Sequence, residues 1–485
     1  MRRVTTLCLI PVLLIAFFLP VYAEENEAEN ITGSTSISGS NLDDYGILTD
    51  GLEAETLYVG DSLTLTNESG IGSLYIVLEF PCAYVVRDLD TGKSFSEADK
   101  GFLHVFADME ARLGYVPSRI EVQFPGGAWI GEIQVFSTGV VPAYVQNWQQ
   151  PLTGGTDIVL FSTHGDDEQL YFAGLLPYYA AERGLNVQVV YMTSHSNLDG
   201  SLRQHEMLNG LWAVGVRTYP VFGAFPDFKI MDREETYLEY ENLGFPRAEL
   251  LEFVVENIRR FQPLVAVGHD LNGEYGHGMH MVYADLLTQA VTLSTDPRQF
   301  PESASRYGVW DVPKTYLHLY PENEIVMDWD QPLEAFDGLT AFEVTQQYGF
   351  PCHISQQYPL YTNWLYGKGT ITKASQIGTW NPCYYGLYRS TVGEDVEKND
   401  FMENLTSYGE ISRESEAREQ ELRNALTLAR QQHTQEPKLL RPAEEEAQGP
   451  AADPRKFPAL AMAISVLTLA IILVFFVSNK FFEKK

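Results

Sequence analysis

Asp157-Ile-Val-Leu-Phe-Ser162 carries an unbroken apolar run, and one residue later the chain reads His164-Gly-Asp-Asp-Glu168. An apolar run of that length, without polar alternation, reads as a strand buried on both faces, the habit of parallel sheets. Working outward, residues 168–183 read as a helix, 187–192 as the next strand and 202–214 as the next helix. A short strand at 219–222, a helix at 247–261 and a strand at 264–267 follow. Strands spaced by helical patterns imply βαβ units. The expected fold class of residues 152–395 is therefore α/β, a Rossmann-like parallel sheet with helices on both faces. The stretch from 282 to 392, rich in aromatics and prolines, is expected to complete this domain with loops and an added layer.

A second burst of imidazole, Tyr275-Gly-His-Gly-Met-His280, lies in the loop after 264–267. In open α/β sheets ligands gather at the carboxyl ends of the strands, so the two bursts fall on one edge. A catalytic zinc takes three protein ligands and leaves a position for water. His164 and Asp167, three apart at a helix start, can reach one metal, and His280 can complete the set. Asp166 is then free to accept a proton from water whose pKa the metal lowers. His277 can protonate a leaving amine or balance a tetrahedral intermediate, and Tyr275 can donate to a developing oxyanion. Arg203 and Asp227 also follow strands and read as substrate contacts. Arg203 can equally pair with Glu206, and Asp227, after Phe225-Pro226, can equally cap a turn. An isolated His pair is usually structural, and an Asp-Asp-Glu run is usually a helix cap. Both together, after strands of one domain, point to a metal site with Zn2+ as cofactor.

The rest of the chain is read from texture. Residues 45–141 hold short alternating runs such as Leu74-Tyr-Ile-Val-Leu-Glu-Phe80 and Ile120-Glu-Val-Gln-Phe124, the signature of an all-β antiparallel sandwich, expected to be a jelly roll on the resemblance given below. Arg2 and Arg3, an apolar run over 7–19 and Val21-Tyr-Ala23 lay out a signal peptide at 1–23. Residues 24–44 read as a flexible acidic leader. Residues 396–456 read as a charged helix, at 414–432, and a linker. Residues 459–477 carry no charge, so 457–479 is expected to be a C-terminal transmembrane helix and 480–485, with Lys480, Lys484 and Lys485, a cytoplasmic tail. The expected location is thus the cell membrane, single-pass, with the ectodomain outside. Cys8 leaves with the signal peptide, and Cys352 with Cys383 is the favoured bridge, with free thiols as the alternative. The formal charge of −32 in 485 residues argues against nucleic acid as a partner. Oligomeric state is not legible.

Several motifs in one order resemble the PIG-L/LmbE-like zinc-dependent N-acetylglucosaminyl deacetylases. His164-Gly-Asp-Asp-Glu168 is similar to the family's HPDDE, and Arg203-Gln-His-Glu206 with Val214-Gly-Val216 to its R-x-x-E…LGV segment. Phe225-Pro-Asp227 is similar to its substrate-contacting Asp loop, and residues 272–280 to its NGGYGHPDH. The resemblance implies His164, Asp167 and His280 as zinc ligands and Asp166 as general base. It implies His277 and Tyr275 as stabilisers of the intermediate, with Arg203 and Asp227 on sugar hydroxyls. Cys352-His-Ile-Ser-Gln356 resembles a late HxSQ element to which no role is assigned. Gly165 stands for the usual Pro and Gly278-Met279 for Pro-Asp. Glycine is expected to loosen the backbone there, and loss of the Asp to alter the support of His280. Leu48-Thr-Asp-Gly51 and the stretch 131–139 resemble galactose-binding-like jelly rolls.

The expected activity is zinc-dependent hydrolysis of an N-acetyl group on an N-acetylglucosamine-containing glycan or glycoconjugate at the cell surface. The alternatives are a non-catalytic glycan-binding surface protein with a relict metal site, and a zinc amidase on another amide.

Overall fold

The computed structural model describes residues 26–39, 45–195 and 202–434. The N-terminal strands are β1 (Ser36–Gly39), β2 (Leu57–Val59), β3 (Ser62–Thr66), β4 (Ser73–Leu78), β5 (Tyr84–Asp88), β6 (Ser94–Glu97), β7 (His104–Asp108), β8 (Arg119–Gln123) and β9 (Ala128–Phe136). They form two antiparallel sheets, of order β1-β3-β8-β5-β6 and β2-β9-β4-β7. A single-turn helix, α1 (Met109–Leu113), is capped by the Asp108 carboxylate, which accepts from the Ala111 amide. In β3 and β8 every second side chain is buried, Leu63 and Leu65 opposite Val122 and Ile120, the pattern of a sheet with one face on the core. β4 is buried throughout. Leu74, Ile76 and Leu78 point into the sandwich, while Tyr75 and Val77 pack outward with Phe136 and Val145.

The second layer is built from β10 (Ile158–Ser162), β11 (Val187–Thr193), β12 (Val221–Phe225), β13 (Val265–Gly268), β14 (Lys314–His318), β15 (Glu324–Val326) and β16 (Tyr384–Ser390). Its order is β12-β11-β10-β13-β14-β16-β15. Strands β10 to β14 run parallel, whereas β16 runs antiparallel to both β14 and β15. Helices α2 (Asp167–Leu170), α3 (Leu202–Ala213), α4 (Arg233–Asn242), α5 (Arg247–Phe261) and α6 (Gly278–Leu293) complete it. Alternate residues of β10 serve opposite cores. Ile158 and Leu160 join Met207, Leu208 and Leu211 of α3, and Val159 and Phe161 join Leu250 and Val254 of α5 and Val282 and Leu286 of α6. That division explains why the run shows no alternation in polarity. Each such buried side chain contributes roughly 1.5–3 kcal/mol of burial energy.

Chain order along the parallel strands reverses between β10 and β13, which are neighbours. This is the topological switch point, where the loops leaving the two strands diverge and open a crevice. The loops concerned are those that carry His164 and His280.

Several expectations are corrected. The sheet is mixed rather than wholly parallel, because β16 inserts between β14 and β15 with reversed direction. Among the described residues no helix is long and apolar enough to cross a membrane, so a C-terminal transmembrane helix has no support; the expected span 457–479, the tail 480–485 and the signal peptide 1–23 lie outside the described residues. The expected leader is in part folded: β1 pairs with β3, Glu27 bridges Val140, and Ala28 is buried. The expected helix 168–183 breaks after α2, since Gly174 takes φ +90° against Trp329, and a short π-helical stretch, Pro177–Glu182, follows. The packed domain runs past 395, with Phe401 and Met402 in the core and helix Tyr408–Thr434 tied at its start to Asp157. Cys82, Cys352 and Cys383 are free thiols.

One compact unit, ending at Glu419, holds the sandwich and the α/β layer; the unit from Gln420 onward is described as far as Thr434, where it is helical. Within the first unit, Phe102 stacks on Tyr219 at 4.6 Å between ring centroids and joins the α/β core beside Trp148.

Candidate metal centre and catalytic cleft

Thr163 and His164 leave the end of β10, and α2 begins at Asp167. The His164 amide donates to Asp167 Oδ2 at 2.8 Å, so the carboxylate folds back over the turn. His280 sits in the first turn of α6, behind the 3-10 turn Glu274–Gly276. These loops bring three donor atoms together. His164 Nδ1 lies 3.1 Å from Asp167 Oδ2 and 3.1 Å from His280 Nε2, and His280 Nε2 lies 3.2 Å from Asp167 Oδ2. All three residues are buried.

Two imidazole nitrogens and a carboxylate oxygen so crowded, away from water, are satisfied either by protons or by a cation. Their electrostatics show the same demand. Burial alone would lower His164 and His280, but the carboxylates of Asp227, Asp167 and Glu274 outweigh it, raising His164 to about 10 and His280 to about 9. Asp167, despite burial, is held well below the usual carboxylate range by His280 and His164. The cluster holds protons where a divalent ion fits, and the donor set, two nitrogens and one oxygen, suits zinc.

The support of His280 is a finding the sequence did not disclose. Glu274, fully buried, accepts from His280 Nδ1 at 2.7 Å and His269 Nδ1 at 2.8 Å through Oε2. Its Oε1 faces His318 Nδ1 at 2.7 Å and accepts from the Asp270 amide at 3.2 Å. With its proton on Nδ1 and directed at Glu274, His280 leaves Nε2 bare for a metal, the carboxylate–histidine–metal arrangement. Glu274 thus does the work expected of the missing Asp. His269 follows β13 and His318 ends β14, both at the carboxyl edge of the sheet. Strand-end position was the signal that could have found them.

Above this floor opens a cleft of about 270 Å³ lined by Asp166, Arg203, Asp227, Lys229, Tyr275, His277, Gln356 and Tyr361, among others. All eight residues singled out from the sequence meet here, with His280 at the base. Asp166 is raised to about 6, chiefly by burial and against the pull of Arg203. Arg203 donates to the Gly165 carbonyl at 3.0 Å and stands 3.9 Å from both Asp166 and Glu206. Asp227 lies 3.2 Å from His164 Nε2 and 3.7 Å from His195 Nδ1, and it is depressed despite burial by His164 above all. Its charge thus faces His164 as well as the cleft. Tyr275 holds φ +46°, a strained conformation for a bulky residue, and stacks on His277 with centroids 5.3 Å apart. His277 Nδ1 is buried with no partner. Burial, His164 and His280 lower His277 to about 2, so it is neutral at neutral pH.

Lys229, Tyr361 and Leu360 were not anticipated as lining residues. The late element now has a role in the fold. His353 Nε2 lies 3.1 Å from Glu168, the amide and hydroxyl of Ser355 each donate to Glu206 at 2.6 Å, and Gln356 faces the cleft. It ties the first two motifs together from outside. The departure at Gly278 has a packing cause, and the space beside Gly165 is filled by the movable Met207 side chain. A Cβ at Gly165 would overlap Met207, and one at Gly278 would overlap Thr236 and the Ile230 and Asp232 carbonyls.

The fold and site thus define an α/β protein with a metal-type donor triangle at the switch point of its sheet. Residues 159–291 match the family described as GlcNAc-PI de-N-acetylase, PIG-L, and that stretch of the chain is a PIG-L family domain. A curated relative, 1D-myo-inositol 2-acetamido-2-deoxy-alpha-D-glucopyranoside deacetylase 1 of Frankia alni, is 25% identical over 173 residues, 32% of this chain. The match spans 59% of that relative's length. Among solved structures, the N,N'-diacetylchitobiose deacetylase of Pyrococcus horikoshii aligns at 16% identity over 47% of this chain and 82% of its own, with a TM-score of 0.32. GalB, the 4-carboxy-2-hydroxymuconate hydratase of Pseudomonas putida, aligns at 16% identity over 50% and 99%, with a TM-score of 0.31.

Proposed function

We propose that the chain is a metal-dependent N-deacetylase that hydrolyses the acetamide of an N-acetylglucosamine-containing glycan or glycoconjugate, with Zn2+ held by His164, Asp167 and His280. The observation that carries this is the triangle of donor atoms 3.1–3.2 Å apart with the Asp166 carboxyl on the cleft beside it. The PIG-L domain match over 159–291 and the deacetylase named in the curated relative support the substrate class.

A divalent ion bound there supplies Lewis acidity, lowering the pKa of a water and polarising the acyl carbonyl. The protein supplies the rest. Asp166, buried on the cleft beside the triangle, takes the proton of the attacking water and returns it to the departing amine. His277, neutral, donates a hydrogen bond to the developing negative charge rather than a proton to the leaving group. Tyr275, stacked beside His277, donates a second hydrogen bond, its phenol kept protonated by burial. Arg203 and Asp227 are read as contacts to sugar hydroxyls, with Lys229 and Gln356 beside them. A secretory route, and with it a surface glycan as substrate, rests on the pattern of residues 1–23 alone; mass spectrometry of the mature N-terminus tests it.

The experiment for the activity is acetate and free-amine release from chitooligosaccharides and GlcNAc-lipid or GlcNAc-inositol conjugates, with and without a chelator. Release abolished by chelation and restored by Zn2+ is expected. Turnover that survives both chelation and Asp166→Asn would end the proposal.

A further inference from the structure

Where the sandwich meets α3, three ligand-type side chains converge outside the cleft. Glu53 follows the 3-10 turn Gly46–Thr49, His104 opens β7, and His205 lies on α3, two residues beyond Arg203. One donor atom from each lies within 4.8 Å of the other two. His104 Nε2 and His205 Nδ1 are 2.9 Å apart, close to the 3.1 Å between the histidine nitrogens of the main site.

Both rings are buried, and burial holds both neutral: His104 far below its ordinary value, His205 down to about 4. Their lone pairs are therefore not occupied by protons at neutral pH. His104 Nδ1 faces the Tyr75 hydroxyl at 2.5 Å, a partner that can accept its proton and leave Nε2 bare. His205 Nε2 is buried with no partner, so no protein group dictates which nitrogen carries its proton. Glu53 accepts from the Asn209 amide at 2.7 Å and is raised by burial; among the described residues no Lys or Arg pairs with it. A hydrogen-bonded imidazole pair alone accounts for the 2.9 Å separation. It leaves the half-buried Glu53 carboxylate without a counter-charge, and a divalent cation satisfies all three groups at once.

We propose that Glu53, His104 and His205 form a second divalent-metal site, of zinc type, that pins the β-sandwich to helix α3. Its donor set is that of the main site, two nitrogens and one oxygen, which suits zinc. The ligands come from both sides of the joint, so the ion cross-links the two layers without taking part in hydrolysis. It reaches the cleft through α3, whose other side chains, Arg203 and Glu206, face Asp166 and Ser355.

The test is the metal content of the full chain, stripped with a chelator and reloaded with Zn2+ alone, read by elemental analysis beside the melting temperature. Two zinc ions per chain are expected, one in His280→Ala and one in Glu53→Gln, a change that keeps an oxygen for Asn209. His205→Asn, a second variant, is expected to behave as Glu53→Gln does. In a His280→Ala background, zinc is expected to raise Tm only while Glu53 is intact. One ion in the wild type, lost with His280→Ala, overturns the second site and leaves the first standing. Two ions unaffected by Glu53→Gln and His205→Asn overturn these residues as ligands. One ion lost with Glu53→Gln but retained in His280→Ala sustains this proposal and sinks the main centre.

Discussion

The sandwich interior and the carboxyl edge of the α/β sheet are equally buried and built of opposite materials. Between the two sandwich sheets lie Leu63, Leu65, Ile76, Val86, Ile120, Val122 and Ile133. At the sheet edge lie His164, Asp166, Asp167, His269, Glu274, His280 and His318, all buried. Apolar burial is non-directional and tolerates local rearrangement. Buried charge is stable only when each partner is placed to within a few tenths of an ångström. The first region therefore supplies stability, and the second spends it on a preorganised site.

The sharpest way to break this contrast is Asp166→Asn. It is expected to lower kcat by about 10²–10⁴ while zinc content and Tm stay near wild type. A fall in zinc content with the same variant would place Asp166 among the supports instead. Next, Glu274→Gln is expected to weaken zinc binding by about 10–100-fold, read by competition with a chromophoric chelator, because one carboxylate serves three imidazoles. Ile76→Ala probes the other region. Its expected cost is about 2–5 kcal/mol of stability by denaturant titration, with kcat per folded molecule unchanged.

A smaller effect comes from pH. His164 and His280 of the metal-free protein are raised above the ordinary histidine value, to about 10 and about 9. Their contribution to stability is therefore fully present below about pH 6.5. It is lost as pH rises through 9 to 10. Zinc needs neutral imidazoles, so its affinity runs the other way, strengthening from pH 6 to 9 with proton release on binding. Isothermal titration in buffers of different ionisation enthalpy reads that release, and none at pH 7 would contradict the assignment.

Legibility followed the same divide. The strands at 158–162, 187–193 and 265–268 declared themselves by unbroken apolar runs, since both their faces are covered, and helix α5 by the apolar stripe it buries. β14, β15 and β16 did not. β14 reads Lys314-Thr-Tyr-Leu-His318, and its polar ends are buried only because Asp395 pairs with Lys314 and Glu274 faces His318. Unread, that strand hid His318, and the three-way role of Glu274 with it. Arg233–Asn242, polar on most of its surface, was missed for want of an apolar stripe. At Gly278 the sequence did not show that the carbonyls of Ile230 and Asp232 come too close for a side chain.

What the chain determined on its own was the ligand inventory and its order: imidazoles and carboxylates follow strands by covalent connection, and strand-end placement depends on local periodicity. Direction of the last strands, the joint around Glu53 and the support of His280 were decided only in three dimensions. The first two depend on partners tens to more than 100 residues apart, such as Lys314 with Ser390 or His104 with His205, and the third joins His280 and its near neighbour Glu274 to the distant His318. No local pattern encodes such a pairing, because the energy that selects it appears only when water has left and the charges must satisfy one another.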